Sequence, residues 1–210
     1  MTMEFDKSRK NPTSLPTVVL LCAGRSERFI AQGGRGNKLE AIVGAKSVRD
    51  HVLKAIEMAS LPYVIVEPKD LEDSERISNS GMGDSIACGV SKSRQSNGWL
   101  VLPADLPLIQ SSTLQLIASH LTLRTQLLDS EWVTVAPGYA GQRGHPVGFS
   151  SGFLNSLVKL RGDEGARRIL QEYPPHLVDV NDQGCVLDVD TPELLDKARK
   201  IWLQMSSNQH

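Results

Sequence analysis

Apolar positions along this chain switch between two periods, and the switches outline its elements. Val18-Val19-Leu20-Leu21 is apolar throughout; so short a run, β-branched at its start and followed by Gly24, predicts a strand buried on both faces of a sheet. Val48, Val52, Ala55, Ile56 and Ala59 then recur at helical spacing behind Ser47-Val48-Arg49-Asp50, which has the form of a capping box. Residues 63–66 and 99–102 read as two more short strands, with a helix beginning near Asp84 between them. Leu114, Ile117, Ala118 and Leu121 predict the next helix, with Ser111 or Ser112 as its cap, and residues 132–136 the next strand. Short helices around 153–158 and 166–173, a strand over 177–180 and a last helix opened by Thr191-Pro192 complete the series.

Strands alternating with helices require crossover connections, which are right-handed and put helices on both faces of a mainly parallel sheet. The expected fold is α/β, a single Rossmann-like domain of three layers, α/β/α. Residues 1–15 and 204–210 are polar without periodicity and are expected to be flexible tails, which leaves 16–203 as the domain. Ligands of such sheets sit beyond the carboxyl ends of the strands, so chemistry is expected in the loops after Leu21, Leu102 and Ala136.

Composition narrows the partners. A chain of 210 residues, 40% apolar, suits one compact domain. With 23 basic and 24 acidic residues the formal net charge is −1, so no global field draws the chain to nucleic acid or to an anionic membrane, and any phosphate must be met by local groups. No apolar run approaches the roughly 18 residues needed to cross a bilayer, and the amino terminus does not read as a signal peptide, so the expected location is the cytoplasm. Cys22, Cys88 and Cys185 lack CxxC spacing and read as small buried hydrophobes rather than a zinc or disulfide set.

Three segments carry candidate chemistry. The loop from Cys22-Ala23-Gly24-Arg25-Ser26-Glu27-Arg28 to Gly33-Gly34-Arg35-Gly36-Asn37-Lys38 supplies close backbone approach, N–H donors and cations, which triphosphate binding needs. It is neither a P-loop nor GxGxxG, and by itself reads equally as a solvated glycine-rich loop. Asp105, in Pro103-Ala104-Asp105-Leu106-Pro107, follows a buried strand, where a carboxylate can hold Mg²⁺ against phosphate oxygens. Asp188 and Asp190 sit at a second strand-to-helix junction; Asp190 is the preferred further metal ligand, with a helix-dipole role as the alternative.

Together with Gly81-Met82-Gly83-Asp84-Ser85-Ile86, Arg143-Gly144-His145-Pro146-Val147 and Gly162-Asp163-Glu164-Gly165-Ala166-Arg167, these segments occur in the order seen in MobA-like NTP transferases. The chain resembles that family from about Val18 to about Trp202, most closely its molybdenum cofactor cytidylyltransferase branch. The resemblance implies a fold of the nucleotide-diphospho-sugar transferase type and Mg²⁺-dependent transfer of CMP from CTP to a phosphorylated acceptor, molybdopterin, with pyrophosphate released. It implies nucleotide contacts at Leu21, Ala23, Gly24, Arg25, Ser26, Lys38 and Ser85, with Arg28, Lys38 and Asp105 as catalytic residues. Asp105 and Asp190 are then the implied metal ligands, and His145 and Arg167 stand on the acceptor side, although His145 reads equally as a structural histidine. A molybdenum hydroxylase is the implied recipient of the product.

Two departures from the family pattern stand out. Residues 30–37 lengthen the loop before Lys38, which leaves Arg35 as an alternative phosphate ligand, and Cys22 stands where alanine is usual. Ala23 before Gly24, where guanylyltransferase relatives tend to carry a second glycine, favours CTP. The other readings are a guanylyltransferase, a nucleotidyltransferase for another sugar or isoprenoid phosphate, and, from a different class, a non-catalytic molybdenum cofactor carrier.

Overall fold

A computed structural model describes residues 15–71, 81–128 and 130–207. Residues 1–14 and 208–210, most of the two expected tails, lie outside the described residues.

The first strand, β1 (Thr17–Leu21), is followed by the short helix α1 (Glu27–Ala31), the hairpin β2 (Ile42–Val43) and β3 (Lys46–Ser47), and helix α2 (Val48–Ala59). After β4 (Tyr63–Val66) and helix α3 (Met82–Lys92) come β5 (Gly98–Pro103) and the long helix α4 (Ser111–Leu127). Strands β6 (Thr134–Tyr139), β7 (Gln142–Arg143) and β8 (Val147–Ser150) lead to helices α5 (Leu154–Leu157) and α6 (Arg167–Glu172), strand β9 (His176–Asp179) and helix α7 (Pro192–Ser207).

Among the described residues, seven strands form one sheet in the order β4-β1-β5-β8-β6-β7, with β9 pairing β6. β1 runs parallel to β4 and β5, and β6 parallel to β9, while β8 is antiparallel to both β5 and β6. The two-residue side-chain period divides the core: Val18, Leu20, Leu100 and Leu102 face α2, α4 and α7, whereas Val19, Trp99 and Val101 face α3, α5 and α6. This is the three-layer α/β/α arrangement the apolar pattern predicts.

Differences between pattern and structure have local causes. β8 is missing from the sequence reading because it returns directly from β6 through the β7 turn, with no helix to announce it. Its Gly148 fits between β5 and β6, where an added Cβ would lie 3.2 Å from Leu100. The strand expected at 132–136 starts at Thr134, since Trp132 instead stacks on Tyr173 with ring centroids 5.6 Å apart. The strand then continues to Tyr139, so no loop follows Ala136. Cys22 and Cys185 are buried as expected, but Cys88 is only half-buried.

Caps follow the same division. Ser47 accepts the N–H of Asp50 at 3.1 Å, and Thr191 accepts that of Leu194 at 3.2 Å. Neither Ser111 nor Ser112 caps α4; both are in its first turn behind Gln110. The carboxylate of Asp182, far along the chain, accepts from Gln110 N–H at 3.0 Å and from Thr113 Oγ1–H at 2.7 Å. Helix α7 runs past residue 203 because its backbone ladder continues after the apolar stripe fades; Leu203 and Met205 are exposed.

Candidate functional site

At the carboxyl ends of β1 and β5 lies a cleft of about 590 Å³. β1 brings Leu21 to it, and the chain leaves the strand through Ala23, Gly24 and Arg25, all lining the same space. A Cβ added at Gly24 would meet no atom within 4 Å, so glycine here leaves backbone open to a ligand rather than relieving a packing clash. The first left-handed residue of this loop, ahead of Gly33 and Gly36, is Ser26, with φ 57°. Its Oγ–H donates to Asn37 Oδ1 at 3.1 Å and its Oγ accepts the N–H of Lys38 at 3.1 Å, while Asn37 Oδ1 also accepts from Leu39 N–H at 3.0 Å. These bonds close the glycine-rich stretch of 30–37 into a side excursion and deliver Lys38 to the cleft. Arg35 is exposed and does not line it, so the alternative of Arg35 as the loop's cleft-facing cation is not met.

Asp105 is fixed from both sides. Ala104 N–H donates to the Leu21 carbonyl at 3.1 Å, and the Asp105 carbonyl accepts from Val189 N–H at 2.8 Å. Three remote segments meet as a result. Lys38 Nζ lies 2.5 Å from Asp105 Oδ2 and 2.5 Å from Asp190 Oδ1, and Arg28 lies 3.1 Å from Asp190 Oδ2. The second carboxylate oxygen, Asp105 Oδ1, is buried and has no hydrogen-bond partner among the described residues.

Charge and burial compete here. Burial works to lower the Lys38 pKa, but Asp105 and Asp190 together outweigh it and raise the value above its ordinary range. At Asp190 burial raises the pKa, and the hydrogen bonds and charges of Lys38 and Arg28 reverse that, holding the carboxyl below the usual range. Asp188 lines the same cleft without such cations in contact; burial, then repulsion from Asp105 and Asp190, pushes its pKa up. Asp190 is thus the better anion of the two. Burial drives the Cys22 thiol up to about 12, leaving it inert at neutral pH.

The opposite wall is built from two motifs that are 78 residues apart at their joint. Asp84 accepts from Gly81 N–H at 3.0 Å and from Gly162 N–H at 2.8 Å, and Gly83 N–H donates to the Gly162 carbonyl at 2.7 Å. Ser85, Met82 and Asp163 thereby reach the cleft. Asp84, Met82 and Asp163 are absent from the candidates read from sequence; the available signal was their place inside the Gly81-to-Ile86 and Gly162-to-Arg167 motifs. His145 also lines the cleft, with its backbone N–H on the Cys185 carbonyl at 2.8 Å. Burial lowers its ring pKa against the pull of Asp105, and its Nδ1 is buried without a partner among the described residues. Arg167 does not join them. It is exposed and does not line the cleft, because α6 turns the preceding Ala166 into the core and Arg167 outward.

This arrangement has known counterparts. The chain is 29% identical over 203 residues to the purine catabolism protein PucB of Bacillus subtilis, covering 87% of this chain and 95% of that one. Its fold is that of Rv0371c from Mycobacterium tuberculosis in complex with manganese, at TM-score 0.61 and 20% identity over 89% of this chain and 99% of that one. A nucleotidyl transferase from Methanothermobacter shares the fold at TM-score 0.68 and 16% identity, over 91% and 99% of the two chains. A family model for the MobA-like NTP transferase domain matches residues 18–178, and the chain, a nucleotidyltransferase, belongs to that family.

Proposed function

We propose that this nucleotidyltransferase moves CMP from CTP to the phosphate of a molybdopterin-type acceptor with Mg²⁺ as its metal, and that it does so in the cytoplasm. The observation that carries the metal is the buried Oδ1 of Asp105, unpartnered among the described residues, with Asp190 close by, a pair of hard oxygen donors lining the same cleft as the open backbone of Gly24. Asp105 and Asp190 would hold the ion, which when bound supplies positive charge to phosphate oxygens. That the Mycobacterium relative was crystallised with manganese supports a divalent ion.

In the proposed step an acceptor phosphate oxygen forms a bond to the α-phosphorus of CTP as the bond to the α–β bridging oxygen breaks. Pyrophosphate leaves with that electron pair. Charge grows on the leaving group, where Arg28 and Lys38 neutralise it, and little covalent chemistry is asked of the protein beyond positioning. A phosphate acceptor is already anionic at neutral pH, so His145, held neutral, need not act as a base. Leu21, Ala23, Gly24, Arg25, Ser26 and Ser85 serve the nucleotide in this reading, and His145 the acceptor. The preference for CTP rests on Ala23-Gly24 and Pro103-Ala104-Asp105 and on the family resemblance. The Bacillus relative is named for purine catabolism, and a molybdenum hydroxylase acting on a purine is the proposed recipient of the product.

Pyrophosphate release is to be measured with CTP, GTP, ATP and UTP in turn, with molybdopterin and Mg²⁺ present and the product identified by mass spectrometry. CTP should be turned over fastest. A faster rate with GTP would move the assignment to guanylyl transfer, and no pyrophosphate from any of the four would leave a carrier.

A further inference from the structure

Lys38 already holds the two carboxylates that the proposed metal would need. Its Nζ lies 2.5 Å from Asp105 Oδ2 and 2.5 Å from Asp190 Oδ1. An ion held by the same two oxygens at the roughly 2.1 Å of Mg²⁺ would sit within about 4.6 Å of that ammonium. The side chains of Lys38 and Asp105 are only 12% and 14% exposed, so water screens the repulsion poorly. Arg28 repeats the arrangement at the edge of the site, on the other oxygen of Asp190. Of the three cations lining the cleft, Arg25, Arg28 and Lys38, the last two are thus tied to anions that the ion would claim. Neither is then presented to a phosphate. Lysine suits an exchange of partners, because its charge is a single point on a flexible four-carbon stem.

We infer that Lys38 is an internal stand-in for the metal: its ammonium fills the cation position between Asp105 and Asp190, and a divalent ion enters as a polyphosphate draws the lysine away. The inference rests on the metal-dependent reading above. It makes ion and polyphosphate binding mutually dependent, since the ion releases the lysine that the phosphates capture, and each ligand must raise the affinity of the other by the same factor. Asp105 Oδ1 sets the rival arrangement, in which the ion takes that oxygen alone and Lys38 stays on Oδ2.

Equilibrium dialysis of Mn²⁺ against wild type, Lys38→Met and Asp105→Asn, with and without CTP in both compartments, separates the two. Wild type should bind Mn²⁺ alone weakly and gain about tenfold or more when CTP is present, a coupling of ordinary allosteric size. Lys38→Met should bind Mn²⁺ alone about tenfold tighter than wild type and gain little from CTP. Lys38→Gln, which keeps the stem but not the charge, should do the same and serves if the methionine variant does not fold; the wild-type arm needs no variant. If removing the charge leaves Mn²⁺ affinity unchanged or weaker, the stand-in is wrong, while loss of CTP-dependent uptake in Asp105→Asn keeps the metal reading intact. If wild type takes up no Mn²⁺ under either condition, the metal reading falls and this inference with it.

Discussion

Asp105 and Asp182 are both carboxylates drawn into the protein at the edge of the same core, and they are treated in opposite ways. Asp182, 2% exposed, has donors on both oxygens: Gly184 N–H on Oδ1, and Gln110 N–H and Thr113 Oγ1–H on Oδ2. Asp105 has Lys38 on one oxygen and, among the described residues, nothing on the other. A buried charge is tolerated only when its lone pairs are met, so the satisfied carboxylate is a piece of architecture, holding the start of α4 to the 182–184 turn. The half-satisfied one keeps an unmet demand. Such a demand costs stability and is retained where a ligand fulfils it.

The largest expected break in this comparison is at Asp105. Asp105→Ala should lower turnover by at least roughly 100-fold, about 3 kcal/mol of transition-state stabilisation, while the melting temperature stays near that of wild type. Steady-state pyrophosphate release with saturating Mg²⁺, beside a thermal melt, checks both halves; a near-wild-type rate would remove Asp105 from the metal site.

Asp182→Ala should show the reverse. Three hydrogen bonds to one buried anion are lost and the donors of α4 are left unmet, which predicts a loss of about 2 kcal/mol in urea unfolding. Rate per folded molecule should stay within about twofold of wild type, because nothing in the cleft changes directly. A variant with intact stability but impaired turnover would show that Asp182 belongs to the site after all.

Sequence legibility divides along the same line. The strands β1 and β5 were readable because a two-sided core needs unbroken apolar runs, and the caps at Ser47 and Thr191 because their partners lie three residues away. The cap of α4 was not, since its acceptor lies 72 residues from Gln110. β8 escaped for a related reason: it takes its place by pairing with β5 and β6, which no local period records. In the site, the glycine loop and Asp105 were legible as motifs at strand ends; Asp190 was legible as a motif ahead of the last helix, although what precedes it is a 3₁₀ turn and not the strand the sequence suggested. What motifs cannot state is who touches whom, so the partnership of Lys38 with both carboxylates and the joint made by Asp84 emerged only from the fold. Arg167 failed as a candidate because one residue of helical phase decides whether a side chain turns in or out.

A smaller effect calibrates the architectural side. Ser47→Ala removes a local cap whose single neutral hydrogen bond, at 3.1 Å to Asp50 N–H, is partly replaced by water. The expected loss is about 1 kcal/mol in urea unfolding, less than at Asp182 because no buried charge is involved. A loss equal to that of Asp182→Ala would mean that burial of the charge adds nothing to a cap.

The smallest expected effect tests whether the Lys38 cluster stabilises the fold at all, and pH gives its sign. Asp190 has a folded pKa held below its unfolded value, so its contribution is present above the ordinary carboxyl value, about 3.9, and is lost as pH falls through the lower folded value. Lys38 is raised in the folded state, so its contribution is present below the ordinary lysine value, about 10.4, and is lost as pH climbs through the higher folded one. Between those limits neither group adds a slope, and the stability gap between wild type and Asp190→Asn should be flat from about pH 5 to 9. It should narrow below about pH 4 as wild type takes up the proton that asparagine cannot. With Asp190 partly open to water and Arg28 almost wholly so, the gap itself is expected to stay below about 1 kcal/mol. Urea unfolding of the two proteins at pH 7 and pH 3 decides it: a gap that survives unchanged at pH 3 would mean that the cluster's anion does not stabilise the fold through its charge, and that Asp190 matters for what it binds rather than for what it holds together.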